Sequence, residues 1–133
     1  MNEFTFIWKG DECLEAIKDK VAFNMSTVVS IIDADMKQSM IDTPRGPNGR
    51  SFPGNPPAVQ TTVLIGSIHS GVEVTEDAVV GTVGSYDVVY ALRMELGFSG
   101  QDSLGRNYDQ APRPFLVPAF ERIREDIPEM LSE

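Results

Sequence analysis

Apolar residues fall at Leu14, Ile17, Val21, Met25, Val28, Ile32, Met36 and Met40. The steps are three or four residues, so the spacing predicts one long helix with a single apolar face. Asp11 is placed to cap it, and Glu12 and Glu15 sit in a first turn where negative charge suits the helix dipole. Pro44 stops it. About 30 residues at 1.5 Å each give a helix of roughly 45 Å. The β-branched run Val28-Val-Ser-Ile-Ile32 weakens the helix locally without breaking its period. Met25, Met36 and Met40 on the stripe read as core packing, with a binding groove as the alternative. Upstream, Phe4-Thr-Phe-Ile-Trp8 reads as a short strand ended by Gly10.

Further along, the period shortens. Val63–Ile68 reads as a strand with a turn near Ser70-Gly71, Val72–Thr75 as a second with a turn at Glu76-Asp77, and Ala78–Val83 as a third, interrupted after it by Gly84-Ser85. Tyr86 to Leu96 reads as strand or helix; the good helix formers Ala91–Leu96 favour a short helix closed by Gly97 as its C′ residue. Arg113-Pro114 opens a last helix with Pro114 near its first position. Phe115, Leu116, Ala119, Phe120, Ile123, Ile127 and Leu131 form its apolar face, and Pro128 must kink or shorten it. The expected architecture is α+β: a long N-terminal helix and a C-terminal helix on a small antiparallel sheet. Two long loops join these parts, residues 42–60 and 98–112. The first holds Pro44, Gly46, Pro47, Gly49, Pro53, Gly54, Pro56 and Pro57. Its prolines favour a semi-rigid arm, with a floppy loop tip as the alternative.

At 133 residues the chain is expected to be one domain, 1–133, able to bury one core. Its net charge is −9. Residues 1–66 carry 6 basic and 8 acidic side chains, and residues 67–133 carry 5 and 12. There is no Lys/Arg cluster of the kind phosphate binding requires. Cys13 is the only cysteine, which excludes an internal disulfide, and its helical setting predicts a buried or half-buried position. The first ten residues lack the basic-then-apolar pattern of a signal peptide, and no window is apolar enough to span a bilayer. The expected setting is therefore cytoplasm-like, with no membrane partner.

Chemical signals are weak. A single histidine, His69, cannot build a His/Cys metal site. Asp33 and Asp35 are two apart on a helix and face different ways. Gly81-Thr-Val-Gly84-Ser85 lacks the lysine and spacing of a phosphate loop, and Ser67 has no nucleophile elbow. No catalytic, cofactor-binding or metal set is expected, and the chain reads as a non-enzyme. Its motifs read mechanically. Glu95 is placed to cap a helix or to pair with Arg113, and Phe115 to plug into the core. Pro53, Gly54, Pro56, Pro57, Tyr90, Glu95, Arg113 and Phe115 are the candidate oligomer or partner contacts.

Five segments together resemble the tail-component family of tailed bacteriophages, the neck or tail-completion proteins of long-tailed phages. They are Ser51-Phe-Pro-Gly-Asn-Pro-Pro57; Thr61 with Leu64 and Ser67-Ile68; Val80-Gly-Thr82; Tyr90-Ala91 with Glu95 and Gly97; and Arg113 to Ala119. They occur in the family's order over about residues 11–130. Thr62 stands where the family usually has glycine, and Ile65 where it usually has arginine.

The resemblance implies a virion protein of the neck, made in the host cytoplasm, that forms a homo-oligomeric ring of about six copies. It implies head-completion or connector proteins and tail-terminator or tail-tube proteins as neighbours. Duplex DNA would pass through without specific binding, and an acidic lumen would limit its adhesion. A tail-terminator ring is the nearest alternative. A small-ligand or peptide-binding domain built on the methionine face is the alternative from another class.

Overall fold

The computed structural model describes residues 10–59, 62–86, 88, 90–101 and 103–133. Helix α1 (Gly10–Asp42) has 33 residues, about 50 Å of helix. An irregular stretch with one 3-10 turn at Pro47–Gly49 follows. Then come α2 (Thr62–Gly66), β1 (Ile68–Val74), β2 (Val79–Ser85) and α3 (Ala91–Leu96). A second hairpin, β3 (Phe98–Gln101) and β4 (Asn107–Gln110), leads to α4 (Leu116–Ile123) and α5 (Ile127–Ser132). The architecture is α+β, with two separate two-stranded antiparallel sheets. The expected strand at residues 4–8 lies outside the described residues.

The β1–β2 hairpin pairs from Ile68 with Ser85 to Val74 with Val79. Its turn falls where Glu76-Asp77 predicts it: Thr75 N–H donates to Ala78 O at 2.8 Å, and Ala78 N–H donates to Thr75 Oγ1 at 3.0 Å. Both strands lie along α1. Gly81 makes the approach possible, because a Cβ there would stand 2.6 Å from Met25 Sδ and 2.7 Å from Val29 Cγ1. Lys18 Nζ donates to Glu76 O at 2.6 Å, so the hairpin tip reaches α1 only two turns from its start.

The core joins Val28, Ile32, Met36 and Met40 of α1 to Leu64, Ile68, Ala91, Phe115, Ala119 and Ile123. Met36 is fully buried, and Met40, Ile68 and Ala119 are 1% exposed. The methionines on this half of the stripe are therefore packing residues. α4 and α5 close over α1. Asn24 Nδ2 donates to Leu131 O and Glu133 O at 3.3 and 3.2 Å, and Arg122 Nε meets Asp35 Oδ2 at 2.6 Å.

Several expectations are corrected. Residues 62–66 form a helical turn rather than a strand. Helical geometry points Leu64 into the core while Val63 stays outside, and packing overrides β-propensity. Strand β1 runs straight through Ser70-Gly71, and β2 continues through Gly84-Ser85. Asp11 lies within the first turn of α1, not before it. The loop at 98–112 contains the β3–β4 hairpin, with Phe98 against Tyr108 at 6.0 Å between ring centroids and the Arg93 guanidinium 4.1 Å over Phe98. The last helix starts at Leu116, two residues after Pro114, and breaks at Arg124–Asp126 just before Pro128. Cys13 is exposed rather than buried or half-buried; it lies more than a turn before Lys18, where the β1–β2 hairpin tip meets α1.

Replacing Gly81 by Val should lower stability by about 1–3 kcal/mol through overpacking, and Phe115→Ala should lower it by about 3–5 kcal/mol through the cavity it leaves. Urea melts read both as a lower midpoint at constant slope. An unchanged midpoint for Gly81→Val would show that α1 does not sit on β2 as described.

Candidate functional site

The start of α4 sets a local problem. A helix leaves its first N–H groups without intrahelical acceptors, and the residue in the capping position is Phe115, which is 3% exposed and has no side-chain acceptor. Glu95, on α3, supplies what Phe115 lacks. Its Oε2 accepts from Phe115 N–H at 2.8 Å and from Leu116 N–H at 2.9 Å, and its Oε1 accepts from Val117 N–H at 2.9 Å. The next residue, Pro118, has no N–H to satisfy. One carboxylate therefore completes the helix start, and its negative charge sits at the positive end of the dipole.

The same junction gathers the other motif segments. Arg113 N–H donates to Met94 O at 2.6 Å, and its Nε donates to Ser51 O at 3.1 Å. Gly54 N–H donates to Pro112 O at 2.9 Å. Gly97 ends α3 at φ +77°, and a Cβ there would stand 2.7 Å from Gln110 O and 3.0 Å from Pro112 Cδ. Farther along the proline-rich loop, Gly46 N–H donates to Arg50 O at 2.6 Å, and the Arg45 guanidinium donates through Nε and Nη2 to Val59 O. The arm of residues 44–59 is thus fastened to the body at Ser51 and Gly54 and folded on itself at both ends.

Seen against the eight candidate residues, Glu95 and Arg113 make bonds within their own chain, and not to each other. Glu95 takes the capping alternative. Phe115 and Pro57 are buried in their own chain. Pro53 and Gly54 are exposed at the loop tip beside Phe52, Pro56 is half-buried, and Tyr90 is exposed. The surface available to a partner here is therefore Phe52, Pro53, Gly54 and Tyr90. Phe52 was not among the candidates, although its position inside Ser51–Pro57 was the available signal.

Beneath the arm lies a cleft of about 450 Å³ lined by Met40, Arg50, Val59, Leu64, Tyr90 and Met94. Asp33 and Asp35 do not act together: Lys37 holds the first at 2.7 Å and Arg122 the second. Gly81–Ser85 is part of β2. Among the described residues no group of three or more His, Cys, Asp or Glu side chains is placed to hold a metal ion, and no helix is long and apolar enough to cross a membrane. No protein-family model, no curated protein and no solved structure matches the chain.

Glu95→Ala should strand three donors at a half-buried helix start and cost about 1–3 kcal/mol. Glu95→Gln, which keeps an acceptor oxygen, should recover part of that loss in the same chemical melt. Equal midpoints for wild type and Glu95→Ala would remove the clasp from the stability argument.

Proposed function

We propose that this chain is a structural virion protein of the head–tail neck of a tailed bacteriophage, and that copies of it form a ring through which duplex DNA passes. The observation that carries this reading is the convergence of the motif segments. Ser51–Pro57, Glu95–Gly97 and Arg113–Ala119 are far apart in sequence, and they meet in one hydrogen-bonded clasp that holds an arm in a fixed shape. A part that works by shape needs such an arm more than it needs a reactive pocket.

The distribution of apolar side chains supports assembly. Among the described residues 17 large hydrophobic side chains are exposed, against 12 buried hydrophobic ones. Where such side chains are contiguous, as Phe52 and Pro53 are at the loop tip, they suit contact with another protein. The net charge of −9 suits a lumen that must not hold DNA, provided acidic side chains line it. The terminator-ring reading shares all of these supports. One observation favours a different class: the cleft under the arm lies within the size range of small-ligand sites.

Peptide mass spectrometry of purified particles made by the encoding genome tests the reading, together with a reconstruction of their necks. The expected result is the chain present at a few copies per particle, in one ring with an acidic channel. Complete, infectious particles lacking the chain would overturn the proposal.

A further inference from the structure

We propose that the cleft beneath the arm is a binding site for a small amphipathic carboxylate, its apolar body seated between α1, α2 and α3 and its acid group on Arg50. The site stands on the cleft itself and does not depend on the ring reading.

The walls are apolar and belong to elements that the core already fixes. Met40 of α1 and Leu64 of α2 form the buried side, and Val59, Ile65 and Met94 line it half-buried. Val59, Ile65 and Met94 also pack against the core cluster, so these walls do not wait for a ligand to form. Two methionines suit an occupant of variable shape, because the thioether chain is unbranched and polarizable. The volume of about 450 Å³ falls within the range of small-molecule sites, which are mostly apolar with a few polar groups that orient the ligand.

Charge selects the occupant. Among the described residues the cleft is lined by one cationic side chain, Arg50, and by no Asp or Glu. The two arginines of the arm divide their roles. Arg45 fastens the arm, its guanidinium donating to Val59 O. Arg50 gives its backbone oxygen to Gly46 N–H, but its guanidinium has no acceptor among the described residues, in a chain with 20 acidic side chains. The planar guanidinium fork matches a carboxylate with two parallel hydrogen bonds. One cation answers one negative charge, which favours a carboxylate over a phosphate dianion.

The position of the charge fits the same ligand. Arg50 and Tyr90 are exposed at the mouth, while Met40 and Leu64 are buried. A bound acid group therefore stays near solvent and avoids most of its desolvation cost, and the apolar body gains from burial. Gln110 Nε2 donates to Met94 Sδ at 3.5 Å, a weak acceptor that a ligand oxygen would outcompete. Arg50 also sits on backbone that is already held, since Ser51 O accepts from Arg113 Nε and Gly54 N–H donates to Pro112 O. Such pre-ordering lowers the entropy lost on binding.

Decanoate is the probe, with decanol and decylamine as its neutral and cationic counterparts of equal chain length. Calorimetric titration of the whole chain should show one saturable site for decanoate. Decanol should bind at least about tenfold more weakly, because it keeps the apolar body and loses the ion pair, and decylamine should bind more weakly still. The methyl NMR signals of Met40 and Met94 should shift with the same midpoint. Arg50→Gln changes an exposed residue, so the fold should persist, as circular dichroism will show. It should weaken decanoate at least about tenfold and leave decanol unchanged, and Arg50→Lys should recover part of the loss.

No saturable decanoate binding, equal affinities for decanoate and decanol, or undiminished decanoate binding by Arg50→Gln would each overturn the site. Methionine signals that stay still while decanoate binds would overturn it as well, since the ligand would then lie elsewhere. Decanoate binding by a chain absent from particles would keep the site and reject the virion role. A chain present in particles that binds no decanoate would do the reverse.

Discussion

Three backbone N–H groups at the inner end of α4 need an acceptor, and a single carboxylate on another helix meets that need. The rest of the body depends on this pairing. Without Glu95, burying Phe115 would bury uncompensated donors, and the apolar gain of the plug would be offset by desolvation. With it, α4 can begin inside the fold. Ala119 and Ile123 then reach α1, and the backbone just before the helix is held where Arg113 and Pro112 catch the proline-rich arm. Polar satisfaction at one point thus permits apolar packing along a whole helix.

How far this was legible beforehand depended on the range of the interactions. The long helix was readable because its stripe repeats over many turns, and Gly97 and Pro128 marked boundaries through their own backbone chemistry. The turn at Glu76-Asp77 was readable for the same local reason. Residues 62–66 were not, because the short apolar run Val63-Leu-Ile65 satisfies a strand and a helix equally, and only the position of Leu64 against the core decides. The β3–β4 hairpin was hidden by its polar, glycine-bearing strands, which are held by an aromatic pair and a cation over a ring rather than by alternation. Capping by Glu95 spans 20 to 22 residues. Nothing near Phe115 in sequence announces it, so the residue stood out while its role stayed open between two partners.

The division of α1 connects core to surface. Its inner half carries Val28, Ile32, Met36 and Met40 into the only large apolar cluster among the described residues. Its outer half carries the same pattern into solvent. A helix whose stripe outruns its own domain makes sense when some of its packing partners belong to another polypeptide. The clasped arm fits the same logic, since it holds Phe52 and Pro53 outward on a backbone already ordered before any partner arrives. Pre-ordering of that kind lowers the entropy lost on association.

Cys13 adds a practical corollary. It is the sole thiol, it is exposed, and it lies on the first turn of the outer half of α1. Each polypeptide therefore carries one native attachment point for a fluorophore, far from the buried cluster and beside the surface in question. In the proposed ring, energy transfer between like dyes would report the spacing of neighbouring copies without any engineered residue, and the rate of thiol modification gauges whether that end of the helix is covered.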